Sequence, residues 1–119
     1  MPETFTISEL AKEFDITTRT IRHYEDQRLL IPQRDGQHRI YSNKDRVRLR
    51  LILRGKRVGF SLGEIKEIID MYDSPQGEAK QTQLLLTKIQ QRRAQLQQQK
   101  KDIEDILHEL ERIEKSVSD

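Results

Sequence analysis

The chain has 119 residues, of which 34% are hydrophobic and 35% charged, with no cysteine and a formal net charge of +2. That length allows one compact domain plus an extension, and the lack of cysteine excludes disulfides and thiolate metal sites. No basic stretch followed by an apolar run marks a secretion signal, and no apolar stretch nears the ~20 residues of a membrane helix, so a cytoplasmic chain with no membrane partner is expected.

The small net charge hides an asymmetry. From Arg34 to Arg57 there are nine Lys or Arg and two Asp. A basic block on an otherwise balanced chain points to a polyanion, although a solvated charge run is the plainer alternative.

In chain order, Phe5-Thr-Ile-Ser-Glu-Leu10 opens the first helix. Thr6 caps it, Glu9 completes a capping box, and Phe5 with Leu10 forms a hydrophobic staple. Ile7, Leu10, Ala11 and Phe14 supply an apolar stripe at helical spacing. Asp15 and Ile16 make a turn, and Thr17 caps a second helix running to about Gln27. At roughly 100° per residue, Thr18, Arg19, Arg22 and His23 share an arc of about 140°, with Ile21 and Tyr24 opposite. One face carries hydrogen-bond donors and the other packs. Two short helices joined by a tight turn form a helix-turn-helix, whose second helix can enter a major groove.

Leu29-Leu-Ile-Pro32 ends the helical pattern, and Asp35-Gly36 within residues 33–41 signals a hairpin. This small β-wing carries Arg34, His38, Arg39 and Tyr41, all types that contact phosphate. Ser42-Asn-Lys-Asp45 opens a third helix to about Val58, ended by Gly59, with apolar Val47, Leu49, Leu51, Ile52, Leu53 and Val58. Arg46, Arg48, Arg50 and Arg54 are spread around it, so some are solvated or salt-bridged. Lys56 and Arg57 lie on a second basic corner that runs into Phe60 and Ser61, and all four are expected to contact DNA. Phe60-Ser-Leu-Gly-Glu-Ile65 repeats the capping box and staple, starting a fourth helix that continues to about Tyr72.

Residues 73–79 read as a linker, broken by Pro75 and Gly77. Beyond it, Leu85, Ile89, Leu96, Ile103, Ile106, Leu110, Ile113 and Val117 keep a 3-4 heptad alternation, with Thr82, Arg92 and Gln99 in the remaining seam positions. About five such repeats make a coiled coil over 80–117. At ~1.5 Å per residue this arm is roughly 55 Å long, and a second copy of the chain is its simplest partner. The expected fold is mainly α: a winged helix-turn-helix DNA-binding domain over 1–72 with a small β-wing, followed by a long C-terminal coiled-coil dimerisation helix.

The first 72 residues resemble the mercury-resistance-regulator (MerR) family of bacterial transcription factors. The resemblance is carried by FTISELAKEFDITTRTIRHYEDQRLL, by the wing end RIYS and by KRVGFSLGEI. Residues 13–27 and 44–62 look most like the branch that regulates branched-chain amino-acid and isovalerate degradation genes. Four positions depart from the family pattern. Gln37-His38 stand where Gly-Tyr is usual before Arg39, His23 replaces a Tyr, and Asp15 replaces a turn Gly. Asp tolerates the left-handed conformation better than most residues.

The resemblance implies a homodimer on double-stranded promoter DNA at an inverted repeat. An antiparallel coil would hold the two heads, the helix at 17–27 would enter each major groove, and the wings would grip phosphates. It also implies DNA bent and untwisted so that RNA polymerase engages both promoter elements. Arg39, Tyr41, Lys56 and Arg57 are then expected on phosphates. Thr18, Arg19, Arg22 and His23 are expected at base edges. Each has a plainer role: Arg22 as a phosphate ligand or a partner of Asp26, His23 as a surface residue, Tyr24 as core, Tyr41 as the wing's closure, and His108 as a solvated coil face.

No cofactor is expected, since three scattered histidines make no metal site. A small-molecule effector, an acyl-CoA or related metabolite by the same resemblance, would sit where helix 62–72, the linker and the coil's start meet. No paired carboxylates beside a nucleophile and no Gly-rich phosphate loop suggest an enzyme. The alternatives are an architectural, excisionase-like DNA-bending accessory protein and a coiled-coil adaptor binding RNA. A palindromic, promoter-overlapping footprint separates the regulator from both.

Overall fold

The computed structural model describes residues 3–72 and 77–118 and divides into two units, Met1–Gln81 and Thr82–Asp119. Its elements are β1 (Thr4–Phe5), α1 (Ile7–Phe14), α2 (Thr18–Asp26), β2 (Gln33–Asp35), β3 (His38–Ser42), α3 (Asn43–Arg57), α4 (Leu62–Tyr72) and α5 (Gly77–Ser118). Among the described residues, no helix is long and apolar enough to cross a membrane.

Side-chain caps set the helix starts. At α1 the Glu9 amide donates to Thr6 Oγ1 at 3.1 Å and the Thr6 amide donates to Glu9 Oε1 at 2.9 Å. Ser61 and Glu64 make the same reciprocal pair before α4, each bond at 3.1 Å. A third capping box precedes α3, where Asp45 Oδ2 accepts the Ser42 amide at 2.9 Å and Ser42 Oγ accepts the Asp45 amide at 3.1 Å. Each box satisfies donors that the first turn would otherwise leave unpaired. Thr17 caps α2 by accepting the Thr20 amide at 3.1 Å. Asp15 ends α1 in the left-handed conformation at φ 55°, so a side chain stands where glycine is the usual choice.

The sheet has the order β1-β3-β2 and is antiparallel throughout. Arg34 pairs with Arg39 and Asp35 with His38, and Gly36 supplies a positive φ of 63° at the two-residue turn. β1 adds an edge not foreseen from the sequence, pairing Phe5 with Tyr41 and Thr4 with Ser42. That pairing fastens the wing's last strand to the entry of α1.

The core of the first unit is Leu10, Ile21, Tyr24, Leu29, Leu30, Tyr41, Leu49, Ile52, Phe60, Ile65, Ile68 and Ile69. Not every apolar residue of α3 faces it. Leu49 and Ile52 are buried, whereas Val47 and Leu51 are exposed, as is Val58 at the helix's C-cap. Arg46 links α3 to α1 through Glu13, with contacts of 2.6–2.9 Å, and its guanidinium lies 5.7 Å from the centroid of the Phe5 ring. The hydrogen bond from Arg46 holds the Glu13 carboxyl below its ordinary range, against the opposing effect of burial.

Of the expected linker 73–79, residues 73–76 lie outside the described residues, and 77–79 already belong to α5. α5 is one helix of 42 residues. Its first turns are tied to α4, where Gln81 Nε2 donates to the Ile68 carbonyl at 3.0 Å. Further along, Leu96, Ile103, Ile106, Leu110, Ile113 and Val117 of the heptad seam are all exposed, while Leu85 and Ile89 are half-buried.

Candidate nucleic-acid interface

α2 divides as its spacing requires. Ile21 and Tyr24 are buried, while Arg19, Arg22 and His23 are exposed and Thr18 is half-buried. Burying the two apolar side chains fixes the helix's rotation, so the donors must face outward. Arg22 does not pair with Asp26. Its Nη2 donates to Thr18 Oγ1 at 3.0 Å, one turn back on the same stripe. The His23 ring lies 6.1 Å from that of Tyr24, centroid to centroid, tilted by 48°. Two guanidinium heads and an imidazole therefore project from a packed helix, a donor-rich face suited to guanine edges and phosphates.

The wing is organised by a residue that sequence reasoning missed. Glu25 Oε1 accepts from Arg34 Nη2 at 2.7 Å, and Oε2 accepts from Arg39 Nε at 2.6 Å. The Tyr41 hydroxyl points at the same Oε2 from 3.5 Å. Glu25 is only 14% exposed, against 51% for Arg34 and 25% for Arg39. The available signal was helical spacing: Glu25 follows Thr18 by seven residues, two turns on, and so shares the stripe of Arg22.

Two expected DNA contacts are corrected by burial. Tyr41 has no exposed surface and Phe60 only 6%, so neither can reach a phosphate from its place in the core. Tyr41 closes the wing against the domain, because β1 covers β3 at that position. Burial, then the Glu25 charge, pushes its hydroxyl pKa up to about 12. Phe60 packs at the α3–α4 corner, beside the site where a Cβ on Gly55 would stand 3.7 Å from its ring. Ser61 is exposed, and its hydroxyl oxygen accepts the Glu64 amide at the α4 cap. His38, at the wing tip, and Lys56 and Arg57, at the end of α3, remain exposed.

A family model described as "MerR HTH family regulatory protein" matches residues 5–72, from β1 to the end of α4. The chain belongs to the MerR family of helix-turn-helix DNA-binding transcriptional regulators. A second MerR model, "MerR, DNA binding", matches residues 46–113 and so takes in most of α5. The regulator ZntR of Escherichia coli (strain K12) is 31% identical over 107 residues, covering 84% of this chain and 76% of its own. A MerR family regulator from Bacillus cereus superposes with a TM-score of 0.70 at 33% identity, over 88% of this chain and 75% of that one. HiNmlR, a MerR family regulator lacking the sensor domain and solved bound to promoter DNA, gives 0.68 at 23% identity, over 91% and 88%. At that identity the last likeness speaks to the fold alone.

Proposed function

We propose that this MerR chain binds an inverted-repeat promoter site as a homodimer and distorts the DNA there so that RNA polymerase engages both promoter elements. The observation that carries the reading is the outward face of α2, with Arg19, Arg22 and His23 exposed above buried Ile21 and Tyr24. Arg19 and Arg22 read base edges, and His23 and Thr18 border them. Lys56, Arg57 and the wing-tip His38 hold flanking phosphates and set the register without reading sequence.

The charge along α5 supports pairing with a second copy, and supports an antiparallel one. Residues 80–101 carry six Lys or Arg and no Asp or Glu, while residues 102–119 carry seven Asp or Glu and two Lys or Arg. Parallel copies would set like charges side by side along the whole coil. Antiparallel copies set the basic half of each against the acidic half of the other, while the exposed Ile and Leu seam closes between them. Such a dimer works in the cytoplasm on chromosomal DNA.

The effector is a small metabolite. Resemblance of residues 13–27 and 44–62 to the isovalerate branch supports an acyl-CoA or a close relative, and titrating the protein–DNA complex with acyl-CoAs should change its affinity. The reading itself is tested with two variants, on the operator recovered by selecting bound genomic fragments and on a random duplex. Arg19→Ala should cost ~1–3 kcal/mol on the operator and little on the random duplex. Arg57→Ala should weaken both alike. Equal losses on both duplexes for both variants would refute this division of roles.

A further inference from the structure

Glu25 is an acid on the face that is to approach a polyanion. Thr18, Arg22 and Glu25 lie within about 60° of one another around α2, and the carboxylate holds Arg34 and Arg39 of the wing at 2.7 and 2.6 Å. A surface selected only for grip on phosphate would have no negative charge there. Both carboxylate oxygens are engaged by guanidinium heads, and bonds between charged groups of this length are the strong kind. Glu25 is on the reading helix, and its partners are on both strands of the hairpin, at sequence separations of nine and fourteen residues.

We infer that Glu25 is a specificity-setting positioning residue. It locks the wing to the reading helix and keeps Arg34 and Arg39 off the DNA phosphates, suppressing binding to arbitrary sequence. This inference rests on the regulator reading proposed above. With the clamp closed, the wing delivers its shape at a fixed offset from Arg19 and Arg22, so a duplex must fit both together. With the clamp open, two mobile arginines per protomer can take any nearby phosphate. That gain is independent of sequence and lowers discrimination.

The test uses the full-length dimer on the selected operator and on a random duplex, over a range of salt concentrations. Glu25→Gln keeps the side chain's size and removes its charge. It should raise affinity for the random duplex and steepen the log K against log salt slope by about 0.9 for each phosphate newly contacted. For one or two new contacts per protomer, that is roughly 2 to 4 over the dimer. The operator-to-random ratio should fall at least about tenfold. A merely structural role would lower both affinities and leave the slope alone, and that result, like an unchanged ratio, would overturn the inference. Should Glu25→Gln fail to fold, Arg34→Gln decides, since Arg34 is half exposed. Its slope should match wild type, whereas a shallower slope would show Arg34 already on a phosphate. A wild-type protein that shows no preference for its operator overturns the regulator reading, while a preference that Glu25→Gln leaves intact overturns this inference alone.

Discussion

Leu110→Ala separates what α5 does alone from what it does in a pair. Leu110 is 55% exposed in the single chain, so about half of its side chain remains to be covered. Full burial of a leucine stabilises by roughly 1.5–3 kcal/mol, and the uncovered half is thus worth about 1–1.5 kcal/mol per copy. A twofold dimer carries the substitution twice, which gives about 2–3 kcal/mol, or a roughly 30- to 150-fold weaker dimer. Cavity formation in the closed seam would add to that. Leucine and alanine are both strong helix formers, so the helix itself should change little. Sedimentation equilibrium over a concentration series gives the dimer constant, and circular dichroism at matched dimer occupancy checks the helix. His108→Ala, two residues away and off the seam, is the control and should leave dimerisation unchanged. An unchanged constant for Leu110→Ala, or an equal loss for His108→Ala, would refute closure of the seam between two copies.

Other predictions concern the first unit. A Cβ on Gly55 would stand 2.9 Å from Ile65 Cγ1 and 3.0 Å from Cδ1. Gly55→Ala should therefore destabilise by about 1 kcal/mol, despite alanine's comparable advantage in a helix. In an Ile65→Ala background the same change should stabilise, and denaturant melts showing no such sign reversal would contradict the close packing of α3 on α4. Tyr41 provides a test by pH. Its hydroxyl pKa is raised to about 12 in the fold from an ordinary value of 10, so the fold favours the protonated form. That contribution is whole below pH 10 and is lost as pH rises toward 12. Relative to Tyr41→Phe, the wild type should lose on the order of 2 kcal/mol across that window. Parallel alkaline curves for the two proteins would argue against a buried hydroxyl.

Signals confined to one turn were readable from the sequence. Thr6 with Glu9, Ser61 with Glu64 and Asp35-Gly36 each fix their own few residues, and each element stands where they place it. The outward face of α2 was equally readable, because helical spacing alone separates Arg19, Arg22 and His23 from Ile21 and Tyr24. What the sequence hid depends on residues distant along the chain. Tyr41 is buried because Phe5, thirty-six positions earlier, pairs with it in the sheet, so a residue type common at phosphates serves as core. Glu25 gathers Arg34 and Arg39 only once the hairpin has folded back. Val47, Leu51 and Val58 looked like Leu49 and Ile52 by hydropathy, but only the geometry of α3 on its neighbours decides which face goes inward. Arg28, in the left-handed conformation at φ 60°, carried no local signal comparable to that of Gly36.

Protection of guanine N7 from methylation across the bound operator is the most direct measurement of two α2 helices reading two major grooves. Two protected patches related by a dyad should appear on wild-type complexes, and both should weaken together in Arg19→Ala. A single patch, or guanine N7 left unprotected throughout the bound operator, would contradict a paired major-groove reader.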